Sequence, residues 1–97
     1  MNPVETNAIR TVAVLGAGTM GNGIAHVFAR SGYAVILRDV EQKLLDRALE
    51  RIAANLDREI KKGKVAASER PRILARVQPV TEMAAIATAD FAIEAVP

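Results

Sequence analysis

Three glycines and one acid are the residues of this chain whose types and spacing could do chemistry. They stand in the run Gly16-Ala17-Gly18-Thr19-Met20-Gly21 and at Asp39, 18 residues past the last glycine. Glycine at 16 lets the chain turn sharply where a side chain would clash. At 18 it lets backbone come close to a phosphate, and at 21 it lets a following helix lie against the preceding strand. A helix beginning near Thr19 points unpaired N–H groups and its positive dipole end at the same place, which suits an anion. An acid closing the second strand can accept hydrogen bonds from ribose hydroxyls. A phosphate loop followed by a ribose acid is the chemistry of dinucleotide binding. The negative charge of Asp39 would repel a 2′-phosphate, so NAD is expected over NADP. Arg38 argues the other way, but strand alternation turns it to the face opposite Asp39.

A glycine triplet alone is weak evidence, and its weight here comes from the elements around it. The continuous apolar run over about Arg10 to Leu15 reads as a strand buried on both faces. A helix is predicted from about Thr19 to Arg30, with Met20, Ile24, Val27 and Phe28 facing the sheet. Ala34 to Leu37 is the second strand. A long helix follows over about Glu41 to Lys62, striped by Leu45, Leu49, Ile52, Leu56 and Ile60. Asp57 and Lys61, one turn apart, are expected to pair. Ser68 is placed to cap a short helix over Glu69 to Ala75, with Pro71 tolerated in its first turn. Val77 to Val80 contains Pro79, which cannot donate to a ladder, so this strand belongs at an edge. Thr81 to Ala87 reads as one more short helix and Phe91 to Val96 as the fourth strand. The alternation gives an α/β fold: a Rossmann-type half domain with a four-stranded, mostly parallel sheet in order 3-2-1-4 and helices on both faces. Residues 1–9 are expected to be a flexible arm and residues 10–97 a partial nucleotide-binding domain.

The bulk composition narrows the alternatives. A chain of 97 residues makes one domain, and 51% hydrophobic with 25% charged residues reads as soluble and globular. The net charge of +2 is small and acids are interspersed with the basic residues, so no nucleic-acid partner is expected. With no cysteine, disulfides, thiolate catalysis and cysteine-ligated metals are excluded, and no metal site is expected. That usage fits a reducing compartment, and the cytoplasm is the expected location. No apolar run is long enough for a membrane span, and no signal peptide is read at the N-terminus. His26 is the one histidine. It lies off the apolar stripe and at least a turn from the glycine loop, so it reads as a surface or half-buried helix residue. A general base must reach the reacting proton. The basic tip Lys61, Lys62 and Lys64 reads first as a solvated face, with a phosphate patch for a large anionic substrate as the second reading.

The run Gly16 to Ala25, with Ala29, Gly32, Val35 and Asp39, resembles the N-terminal NAD-binding domain of the L-3-hydroxyacyl-CoA dehydrogenase family. The segment Ala89-Asp90-Phe91-Ala92-Ile93-Glu94-Ala95-Val96-Pro97 is similar to that family's fourth strand. The resemblance extends from Thr11 onward. It implies that Gly16, Ala17, Gly18, Thr19, Met20 and Gly21 wrap the pyrophosphate, that Asp39 holds the adenosine ribose, and that Ala95 and Val96 line the cofactor cleft. It also implies the family's reaction, oxidation of a 3-hydroxyacyl-CoA to the 3-oxoacyl-CoA with NAD, as in fatty-acid β-oxidation. The family's histidine base and its orienting glutamate belong to the second half of the domain, and the substrate site is completed by a helical C-terminal domain. No residue here matches them, His26 included, so no catalytic residue is assigned and the chain is expected to be inactive alone. Two alternatives stand beside this reading. One is the front end of a related 3-hydroxyacid, gulonate-type or 6-phosphogluconate-type dehydrogenase; the other is a stand-alone nucleotide-binding module without catalysis. In a full domain a fifth strand covers the fourth, so Phe91 to Val96 is expected to be a bare apolar edge that self-associates.

Overall fold

Four short apolar runs pair into one parallel sheet. In the computed structural model β1 is Thr11–Leu15, β2 Ala34–Arg38, β3 Val77–Val80 and β4 Phe91–Glu94, in the order β3-β2-β1-β4. The structure describes residues 9–95. The arm expected over residues 1–9 therefore lies outside the described residues except for Ile9, as do Val96 and Pro97. All three pairings are parallel, with Val12 opposite both Val35 and Phe91, and Leu37 opposite Pro79. Pro79 thus sits on the edge strand that its missing N–H requires.

The helices are α1 (Thr19–Arg30), α2 (Gln42–Lys61) and α3 (Arg70–Ala75), and they pack against one another in one layer. One turn of 3-10 helix occupies Ala67–Glu69 and two turns occupy Met83–Thr88. The path β1-β2-β3 steps one way across the sheet and the return to β4 steps the other. With right-handed crossovers, that reversal puts Met83–Thr88 on the face opposite the three helices. The core lies between sheet and helix layer, where Val12, Val14, Val35 and Leu37 meet Ala25, Ala29, Leu45, Ile52 and Leu56.

Several local expectations are corrected. Of the Met20, Ile24, Val27, Phe28 stripe expected to face the sheet, Ile24 and Phe28 are half-buried and pack against the core, whereas Met20 and Val27 are 59% and 60% exposed. Gly21, Ala25 and Ala29, four residues apart, form the fully buried centre of that face. The reason is distance, since a Cβ on Gly21 would lie 1.7 Å from the carbonyl oxygen of Gly16. Only a small-residue face lets the helix come that close. Ser68 makes no cap: Glu69 is the cap residue of α3, and Pro71 sits in its first turn as expected. Asp57 pairs not with Lys61 but with Arg70, at 2.8 Å, because α3 brings a guanidinium across from another element. His26 is neither exposed nor half-buried but 7% exposed, held between α1 and α2. Its Nε2 lies 2.8 Å from Glu59 Oε1, and Arg30 donates to Glu59 Oε2 at 2.7 Å.

Candidate functional site

The carboxyl ends of β1, β2 and β4 come together around one crevice, beside the point where the strand order reverses. Backbone hydrogen bonds tie those ends to each other. Gly16 N–H donates to Arg38 O at 2.8 Å, and Ala95 N–H to Leu15 O at 2.8 Å. The chain leaves β1 through Gly16, whose φ of +112° is open to glycine and strained for other residues. It then enters α1 at Gly18, whose side is empty: a Cβ there would meet nothing within 4 Å. No side chain caps α1 and no acid stands in its first turn, so its leading N–H groups have no counter-charge from the helix itself.

Asp39 closes β2 and turns back onto the loop. Ala17 N–H donates to its Oδ2 at 2.9 Å and Glu41 N–H to its Oδ1 at 3.1 Å. A carboxylate accepts about four hydrogen bonds. These two fix its orientation and leave lone pairs for two further donors, the number that a ribose diol presents. The cleft in front of it is lined by Leu15, Gly16, Arg38, Asp39, Val40, Met83 and Glu94. A second hollow, lined by Gly18, Thr19, Met20 and Ala95, continues on the other side of the loop. The structure therefore brings Gly16, Ala17, Gly18, Thr19, Met20, Gly21, Asp39 and Ala95 to one edge of the sheet. Val96 falls outside the described residues. The exposed side chain of Met20 faces the second hollow instead of packing in the core. Arg38, expected on the face opposite Asp39, lines the same cleft, its Nε donating to Thr81 O at 3.1 Å.

His26 lies elsewhere, in a hollow lined by Asn55, Arg58, Glu59, Lys62 and Lys64 near the C-terminal ends of α1 and α2. Among the described residues no group of three or more acids or histidines is arranged to hold a metal. No helix among them is long and apolar enough to cross a membrane.

Sequence reasoning passed over three residues beside the loop. Asn22 is 3% exposed and its Nδ2 donates to Ala48 O at 3.3 Å, locking α1 to α2. Arg47 and Arg51 project from α2 toward Ala17, Gly18 and Thr19. Their signal was a basic pair four residues apart in the first half of the helix after the ribose acid. A right-handed crossover sets that half beside the phosphate loop.

Comparison with known proteins agrees with this geometry. Residues 11–97 match the family described as 3-hydroxyacyl-CoA dehydrogenase, NAD binding domain. A 3-hydroxyadipyl-CoA dehydrogenase of Escherichia coli K12 is 46% identical over 87 residues, 90% of this chain and 18% of that protein. A 3-hydroxybutyryl-CoA dehydrogenase of Bradyrhizobium diazoefficiens is 38% identical over 89% of this chain and 29% of its own length. The crystal structure of an Escherichia coli 3-hydroxybutyryl-CoA dehydrogenase superposes with a TM-score of 0.89 at 44% identity, over 94% of this chain and 19% of that one. The chain thus spans less than a third of each of these relatives. It belongs to the 3-hydroxyacyl-CoA dehydrogenase family and corresponds to the family's NAD-binding domain.

Proposed function

We propose that this chain binds the adenosine and pyrophosphate of NAD for the oxidation of a 3-hydroxyacyl-CoA, and that it performs no hydride or proton transfer by itself. In this reading the Gly16–Gly21 loop holds the pyrophosphate through backbone N–H groups and Asp39 holds the ribose. Ala95 and Val96 line the way to the nicotinamide. One observation carries it: the Asp39 carboxylate is clamped by Ala17 N–H of the loop at 2.9 Å, joining phosphate and ribose positions in one unit. NAD is the cofactor this favours, because a 2′-phosphate would meet the Asp39 charge, whose carboxylate the loop holds in place.

Residues 10–97 act as a partial nucleotide domain, and the proton-transfer residues belong to the region of the relatives that this chain does not span. His26 is bound to Glu59 on the far side of the helix layer and has no part in the chemistry. The relatives named above act on hydroxybutyryl-CoA and hydroxyadipyl-CoA, so the proposal is for the acyl-CoA class and not one chain length. It places the activity in the cytoplasm and in fatty-acid metabolism. Enhancement of NADH fluorescence on mixing with the pure chain, with no NADH formed from NAD and 3-hydroxybutyryl-CoA, is the expected result. NADH formation at an enzyme-like rate would overturn the claim of no chemistry, and absence of NADH binding would overturn the cofactor reading.

The edge strand β4 is proposed as a self-association surface. Phe91 is 50% exposed on it and nothing among the described residues pairs with its outer side.

A further inference from the structure

Beside the phosphate loop, the hollow between the first halves of α1 and α2 has a wall that the residues assigned so far leave unused. Gly18, Thr19 and Asn22 form one side and Arg47 and Arg51 the other. Arg51 Nη1 lies 3.4 Å from Thr19 Oγ1, so its guanidinium already stands over the first turn of α1. Neither arginine forms an ion pair among the described residues. Two cations four residues apart on a helix repel each other, a cost that an anion between them removes. The open side of Gly18 and the uncapped start of α1 face the same space.

We propose that Arg51, with Arg47 behind it, is a pyrophosphate-binding side chain that closes from α2 on the oxygens held by the glycine loop. The inference rests on the NAD reading above. The loop offers backbone N–H groups, which orient the pyrophosphate but carry only partial charge. Arg51 supplies a full charge from the opposite side through charge-assisted hydrogen bonds. Its planar fork can hold the Thr19 hydroxyl and a phosphate oxygen together, which a lysine ammonium does less well. Asp39 and Arg51 thus divide the ligand: the acid reads the ribose and the arginine reads the bridge charge.

The test is titration of wild type, Arg51→Ala and Arg51→Lys with NAD, ADP-ribose, NADP and adenosine at two salt concentrations. Arg51→Ala should weaken NAD and ADP-ribose by about tenfold. It should leave adenosine unchanged, and the loss should shrink as salt rises. Arg51→Lys should recover part of it. Equal affinity of Arg51→Ala and wild type for NAD would overturn the proposal, as would an equal loss for adenosine. A loss confined to NADP would assign the arginine to a 2′-phosphate and overturn it too. A folded wild-type chain that binds none of the four overturns the NAD reading and this proposal with it; unchanged binding in Arg51→Ala overturns this proposal alone.

Discussion

Adding one methyl group at Gly21 should do the opposite of adding one at Gly23. Both are glycines inside α1, so replacing either by alanine removes the same backbone penalty, about 1 kcal/mol in favour of the folded state. Their surroundings differ. At Gly23 a Cβ meets nothing within 4 Å, so Gly23→Ala should raise stability by up to about 1 kcal/mol. At Gly21 it would sit 1.7 Å from Gly16 O and 2.7 Å from Gly16 C. Both are backbone atoms of the turn, so no side-chain rotation relieves the clash, and α1 must move off β1. Overpacking of this kind costs about 3 kcal/mol at the upper end of its usual range, which against the propensity gain leaves a net loss of about 2 kcal/mol. In urea unfolding that lowers the midpoint by about 1 M, while Gly23→Ala raises it by roughly half as much. The displaced helix start should also weaken NAD binding in Gly21→Ala and leave it intact in Gly23→Ala. A Gly21→Ala chain as stable as wild type would refute the argument that the third glycine of the loop exists for helix–strand contact.

Other outcomes follow from the same structure. Glu59→Ala leaves the buried His26 and the exposed Arg30 without their acceptor and should cost about 1–3 kcal/mol in urea unfolding, with Glu59→Gln costing less because it still meets the imidazole. Asp90 Oδ2 accepts the N–H groups of Arg10 and Thr11, both at 3.0 Å, and these bonds hold its carboxyl below the ordinary carboxylate range. A depressed folded-state value gives stability that is present above the ordinary value and lost as pH falls through the lowered one. Asp90→Asn should therefore be less stable than wild type near neutrality, the gap closing in acid, as read from melting points across pH; a gap that widens in acid would contradict this. Phe91→Glu on β4 should lower the apparent mass by light scattering at high protein concentration, and a wild-type chain that stays monomeric there would overturn association through this edge.

Much of the fold was legible because its signals are local and repeated. β1 is buried on both faces and shows it as an unbroken apolar run, and Pro79 announces an edge strand. Gly16 to Gly21 and Asp39 marked the candidate site because spacing and flanking elements agreed with one another, and they come to one edge of the sheet. The failures share a cause, which is that packing distance is not written in hydrophobicity. Met20 and Val27 looked like part of the buried face of α1, yet the closest contact falls to Gly21, Ala25 and Ala29. Asp57 had a partner one turn away in sequence, but Arg70 reached it from another helix. Arg51 was invisible for the same reason, since its importance depends on which helix its own packs beside. His26 turned out buried because Glu59, 33 residues on, supplies its hydrogen bond.

The function proposed for this chain is half of a dinucleotide site, with Asp39 as its ribose residue. Calorimetric titration of the pure chain with NAD, beside NADP and Asp39→Ala, tests it most directly. The expected result is binding of NAD, a loss of about tenfold or more in Asp39→Ala that remains folded, and no measurable binding of NADP. A folded wild-type chain that takes up no NAD, or one that binds NADP as well as NAD and is indifferent to Asp39, would contradict it.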